Sequence, residues 1–166
     1  MKYFAASLVS LVPLVVLSAE ILDAKFYRDA AEGGIAEVAM GNLAQQKAQS
    51  SKVKDFGAQM VKDHTAAKEK LQALAQSKNI TLPANPSVDE MEAISKLKVL
   101  SGQSFDKSYI QGMIKDHEED IAEFKKEAAS GQDPDARAFA SATLPTLHAH
   151  LNRIRAIAAD AGVSAE

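Results

Sequence analysis

The sequence predicts an all-α protein built as a four-helix bundle. Three observations lead there. Apolar residues recur at three- and four-residue steps through four long stretches, the signature of one buried helix face. No segment alternates apolar with polar residues as a half-buried strand does. Ala, Lys, Glu, Gln and Leu are plentiful, and all favour helix. Four such helices in one domain bury their stripes best against each other.

The first residues read as an export signal rather than as part of the bundle. Lys2 supplies a positive start, positions 4–17 form an apolar run broken only by Ser7, Ser10 and Pro13, and Leu17-Ser18-Ala19 offers a small-residue cleavage site. The run is short against the about 20 apolar residues of a membrane span. Residues 1–19 are therefore expected to be a signal peptide, with a retained anchor as the alternative. Residues 20–166 are expected to form one periplasmic or secreted domain with no lasting membrane insertion.

The first long helix is expected over about 23–48, with Asp23 as N-cap and Phe26, Ala30, Gly33, Glu37, Met40, Ala44 and Ala48 on its stripe. Gly33-Gly34 weakens it by about 1 kcal/mol per Gly and is read as a point of close helix packing. Ser50-Ser51 breaks the pattern and could cap the next helix. That helix, about 52–77, carries Val53, Phe56 or Gly57, Met60, His64, Ala67, Leu71 and Leu74 inward, and Lys78-Asn79 ends it. Pro83 and Pro86 then mark a real break. Ser87 with Glu90 reads as a capping box opening a short helix over about 88–100.

The third long helix, about 105–129, places Tyr109, Met113, His117, Ile121 or Asp120, Phe124 and Ala128 inward, and Gly131 stops it. Asp133-Pro134 marks a fresh start, an N-cap followed by proline at the first helical position. The last helix runs to about 161 with Phe139, Thr143, Leu147, His150, Ile154 and Ile157 inward and an expected kink at Pro145. The long connection between the second and third long helices is able to cross the bundle from end to end. Such a crossover, here with a short extra helix, is the ferritin-like arrangement.

The chemistry rests on scarce residues in matched places. Met-hydrophobe-Lys-Asp-His occurs twice, as Met60-Val61-Lys62-Asp63-His64 and as Met113-Ile114-Lys115-Asp116-His117. His64, His117 and His150 each fall on an apolar stripe, and Glu37 stands where an apolar residue is expected. An ionised group is costly there unless paired or metal-bound. Each long helix thus offers one ligand-type side chain: Glu37, His64, His117 and His150. Imidazoles with a carboxylate suit zinc, iron, copper or nickel rather than calcium or magnesium. The competing reading is a set of hydrogen-bonded core histidines with no metal.

Neighbouring residues admit two readings each. Asp63 and Asp116 are expected to be solvated acids paired with lysines, the alternative being ligands or acceptors that orient a ring. Glu118 and Glu119 are expected to face solvent, and His148 to lie at a seam or exposed. Met40, Met60 and Met113 lie about one turn from Glu37, His64 and His117, which would suit copper, although methionine at helical spacing is more often core filler. Tyr109 either bonds a carboxylate or packs. With no cysteine there is no disulfide, thiolate ligand or thiol nucleophile. A net charge of −3 with both signs mixed gives no basic face for nucleic acid.

At these residues the chain resembles a bacterial family known as domain of unknown function 4142, whose members look ferritin-like. The resemblance runs from about Phe26 to Ile157. It rests on the run from Glu37 to Ala44, on Val53-Lys54-Asp55-Phe56 and the first His motif, on Phe105-Asp106-Lys107-Ser108-Tyr109 with Asp116-His117, and on the run from Leu144 to Leu151. It implies an exported helical bundle, often a single-domain envelope protein, and supplies no reaction. Ferritin-like di-iron centres use Glu-x-x-His on two helices. Here Val61, Ile114 and Leu147 stand three residues before the histidines, so a single-metal site is expected instead. The expected function is non-enzymatic metal binding in buffering or envelope stress tolerance. The alternatives are a metal-free structural or interaction protein and a metalloenzyme of unknown reaction.

Overall fold

The protein is described by a computed structural model over residues 17–164. The predicted leader falls largely outside these residues. The first helix, α1 (Leu17–Lys47), starts before the expected point, so Asp23 is no N-cap of its own helix. Buried within α1, Asp23 instead accepts hydrogen bonds from the backbone N–H groups of Gln132 and Asp133, where the last helix begins.

The next helices are α2 (Ser51–Ser77), α3 (Val88–Val99), α4 (Gly102–Ser130) and α5 (Pro134–Ala161). Ser50 occupies the N-cap position of α2 but makes no side-chain cap bond. Asp106 of α4 takes over, accepting from Gln49 N at 3.0 Å and Ser50 N at 2.8 Å. The capping box of α3 is present: Glu90 N donates to Ser87 Oγ at 3.3 Å, and Ser87 N to Glu90 Oε2 at 2.6 Å. Asn79, at φ 56°, makes the left-handed turn that ends α2. Asp133 caps α5 through Asp135 N at 2.9 Å, with Pro134 in the first turn. The ring of Pro145 is exposed, and α5 continues through it.

Two antiparallel hairpins, α1–α2 and α4–α5, pack with α1 beside α4 and α2 beside α5. At one end Lys78 bridges to Asp133 and Asp135, both at 2.9 Å, and Tyr27 donates to Asp133 at 3.2 Å. At the other end Lys47 donates to the carbonyls of Lys98 and Leu100, and Lys52 bridges to Asp160 at 2.6 Å. These contacts put the end of α2 and the start of α4 at opposite ends, so the segment between them crosses the bundle lengthwise. The fold is the expected ferritin-like helical bundle, and α3 rides on this crossover, mainly against α1. Among the described residues no helix is long and apolar enough to cross a membrane.

The helices approach closely at Gly41 and Gly57, not at Gly33-Gly34 as the sequence suggests. A Cβ on Gly57 would stand 2.7 Å from both Ala44 Cβ and the Gly41 carbonyl, so only glycine lets α1 and α2 meet there. A Cβ on Gly34 would touch nothing within 4 Å. Buried Phe56, Phe105, Tyr109, Met60 and Met113 fill the core around the site, and Phe26 meets Phe124 and Phe139 edge-on at 5.1 and 6.3 Å between ring centres.

Candidate metal centre

The stripes of four helices converge on Glu37 (α1), His64 (α2), His117 (α4) and His150 (α5), all buried. One ring nitrogen from each of the three histidines lies within 4.8 Å of the others. The sequence-predicted residues are thus brought to one level of the interior. Glu37 stands among them, with its Oε2 2.7 Å from His64 Nδ1.

Hydrogen-bond partners assign the tautomers. His117 Nδ1 lies 2.9 Å from the Met113 carbonyl, which can only accept, so Nδ1 carries the proton. His150 Nε2 lies 2.9 Å from Asp63 Oδ2, so the proton of that ring sits on Nε2. The two remaining nitrogens, His117 Nε2 and His150 Nδ1, then face each other at 3.3 Å as bare lone pairs. Two acceptors in such contact repel unless a cation lies between them. Two nitrogens at the usual 2.0–2.1 Å from one tetrahedral ion stand about 3.3 Å apart. On His64, Nδ1 is engaged with Glu37, and Nε2 is buried with no hydrogen-bond partner.

Electrostatics keep these rings neutral. Burial pushes His64 down to about 4 and His117 to about 3, the latter also lowered by the two neighbouring rings. Burial lowers His150 too, against the opposing pull of the Asp63 carboxylate. Neutral imidazole is the form that binds metal. Glu37 is held well above the usual carboxylate range, first by burial and then by Asp116 and Glu90, with a hydrogen bond to Asp120 opposing. Its Oε1 has no hydrogen-bond partner and lies 3.6 Å from His117 Nε2.

Sequence reasoning misassigned Asp63 and left Asp120 as one of two alternatives. Asp63 is no solvated acid: it orients the ring of His150. Asp120, offered only as an alternative to Ile121, hydrogen-bonds Glu37. The signal for the second was its one-turn spacing from Asp116, which lays two carboxylates along one strip of α4. Glu118 and Glu119 are exposed as expected, and so is His148. Tyr109 stacks on Phe105 at 5.7 Å, and its hydroxyl has no hydrogen-bond partner. Phe56 walls the site, 6.5 Å from the His117 ring and 6.1 Å from that of His150. A cavity of about 30 Å³ touches Glu37, His64 and Asp120, room for one water or ion.

Fold and site together define a ferritin-like bundle with a buried histidine cluster. The chain belongs to the family described as domain of unknown function DUF4142, whose model matches residues 17–157. No curated protein matches it in sequence. Among solved structures it is similar to a DUF305 protein from Streptomyces coelicolor that is described as secreted, with TM-score 0.74 and 14% identity, covering 87% of this chain and 94% of that one. It is also similar to CopM in the Cu(II)-bound form, with TM-score 0.71 and 15% identity, and in the Ag-bound form, with TM-score 0.68 and 16% identity. Each CopM match covers 83% of this chain and 96% of that one. At such identities the likeness is one of fold.

Proposed function

We propose that this protein is an exported, non-enzymatic metal-binding bundle. It holds one transition-metal ion on His64, His117 and His150, with Glu37 steadying His64, and serves metal buffering or envelope stress tolerance. The observation that carries this reading is the pair of bare ring nitrogens facing each other at 3.3 Å in a buried site. The orphaned Nε2 of His64 supports it, because an unpaired buried polar group costs about 1–3 kcal/mol. Imidazole donors suit zinc, iron and copper. The copper- and silver-bound structural neighbours favour copper among these. The secreted description of the DUF305 neighbour supports export.

The test is metal uptake by protein purified without chelator and reconstituted with Cu²⁺ or Zn²⁺. The expected result is one ion per chain by elemental analysis. In a His64→Ala, His117→Ala double variant that keeps its helical circular dichroism, affinity falls by at least about 100-fold. A reconstituted parent protein that retains no metal overturns the proposal.

A further inference from the structure

The polar contacts of the histidine centre extend to the surface along the seam between α2 and α5. Phe56, Gln59 and Asp63 stand at steps of three and four residues on α2, and His150 and Arg153 at a step of three on α5, so each set shares one helix face. His150 is buried, Asp63 and Gln59 are partly exposed, and Arg153 is exposed.

Arg153 donates through Nη1 to the side-chain oxygen of Gln59. A guanidinium only donates, so this contact turns the Gln59 oxygen towards Arg153 and leaves the amide NH₂ group for Asp63. Gln59 hydrogen-bonds Asp63. Against the effect of burial, the bonds from His150 and Gln59 hold the Asp63 carboxyl below its usual range, so it is an ionised acceptor and both partners donate to it. Flipping the amide would set NH₂ against guanidinium and oxygen against carboxylate, replacing both hydrogen bonds by repulsive contacts. Arg153 has a second hold on the seam. Its Cζ lies 5.9 Å from the centre of the Phe56 ring, within cation–π range, and Phe56 walls His117 and His150.

We propose that Gln59 and Arg153 are positioning residues of the histidine centre, acting through Asp63 to keep the His150 proton on Nε2 and its bare Nδ1 turned to His117. Without the Gln59 donor the carboxylate is free to rotate away from His150, and the ring to move its proton to the other nitrogen. A protonated Nδ1 has no lone pair to offer an ion. The inference rests on the proposed function only in making the positioned ring a metal ligand; the positioning itself is read without metal.

The test is long-range proton–nitrogen NMR correlation of the metal-free full chain, which reads the tautomer of each ring. The parent is expected to carry the His150 proton on Nε2 and the His117 proton on Nδ1. Gln59→Glu keeps the size of the side chain and removes its donor; Arg153→Ala releases the amide. With unchanged helical circular dichroism, each is expected to turn His150 into a mixture of tautomers, while His117, bonded to the Met113 carbonyl, keeps its own. Each should also weaken Cu²⁺ or Zn²⁺ binding by about tenfold. A parental His150 tautomer in both variants overturns the inference. An equal change at His117 also overturns it, because general loosening would then be the cause. A parent that retains no metal, with the His150 change present in the variants, overturns the proposed function and supports the positioning contact.

Discussion

Asp63 precedes His64 in the chain yet serves the ring of His150 on another helix. That contact fixes which nitrogen of His150 is bare and where it points. An Asp63→Asn substitution keeps the shape but loses the charge and permits the ring to flip or change tautomer. Removing such an orienting partner typically costs 10–100-fold in metal affinity. The expectation is a loss of about that size in chelator competition with Cu²⁺ or Zn²⁺, with unchanged circular dichroism; an Asn variant of parental affinity would show that the contact is incidental. Residue chemistry was only partly legible beforehand. The three histidines stood out because polar rings interrupted apolar stripes. Asp63 did not, because a residue turned about 100° from its neighbour reaches another helix only if the seam lies there.

Local signals fixed the caps, and packing decided the rest. Ser87 with Glu90 and Asp133 with Pro134 were readable because a cap is completed within a few residues. The start of α2 was read at Ser50-Ser51, but the partner there was not, because the N–H groups of Gln49 and Ser50 bond to Asp106, more than fifty residues away. Nor was the meeting point of α1 and α2. The adjacent Gly33 and Gly34 drew notice, whereas isolated Gly41 and Gly57 form the contact. Gly57→Ala should gain about 1 kcal/mol of helix propensity. It also forces a methyl group against backbone and Ala44, and overpacking of this kind costs about 1–3 kcal/mol. A net loss is expected in urea unfolding, as a lower midpoint with unchanged slope. A variant as stable as the parent would mean that the two helices separate freely.

Over the whole molecule, burial drives interior groups towards their neutral forms, and this makes stability depend on pH in two opposing ways. His64 and His117 have folded pKa values of about 4 and about 3, below the ordinary 6.5. The unfolded chain therefore binds more protons as pH falls below about 6.5, and stability drops towards those lower values. Glu127, at the far end of α4, behaves oppositely. Burial first, then Asp23 and Asp133, push its carboxyl up to about 6. Below about 4.5 it is protonated in both states; as pH rises to about 6 the unfolded state ionises first and stability falls, and above that the penalty is constant. Glu127→Gln should thus melt with the parent at pH 4 and a few degrees higher, about 2–4 °C, at pH 8. A gap of the same size at both pH values would assign the effect to packing instead. At this scale the bundle and its crossover were legible from helical periodicity and two prolines. The common depth of Glu37 and the histidines was not, because depth depends on how far each helix slides along its neighbour.

The connectivity divides the histidine centre between the two hairpins. Glu37 and His64 belong to α1–α2, His117 and His150 to α4–α5, and only the crossover joins the two covalently. Neither half holds a complete donor set, so under the proposed function capture of an ion would be a coincidence test that succeeds only after both halves have docked. A half-assembled chain would carry no cargo, and a seated ion would become a rivet across the seam.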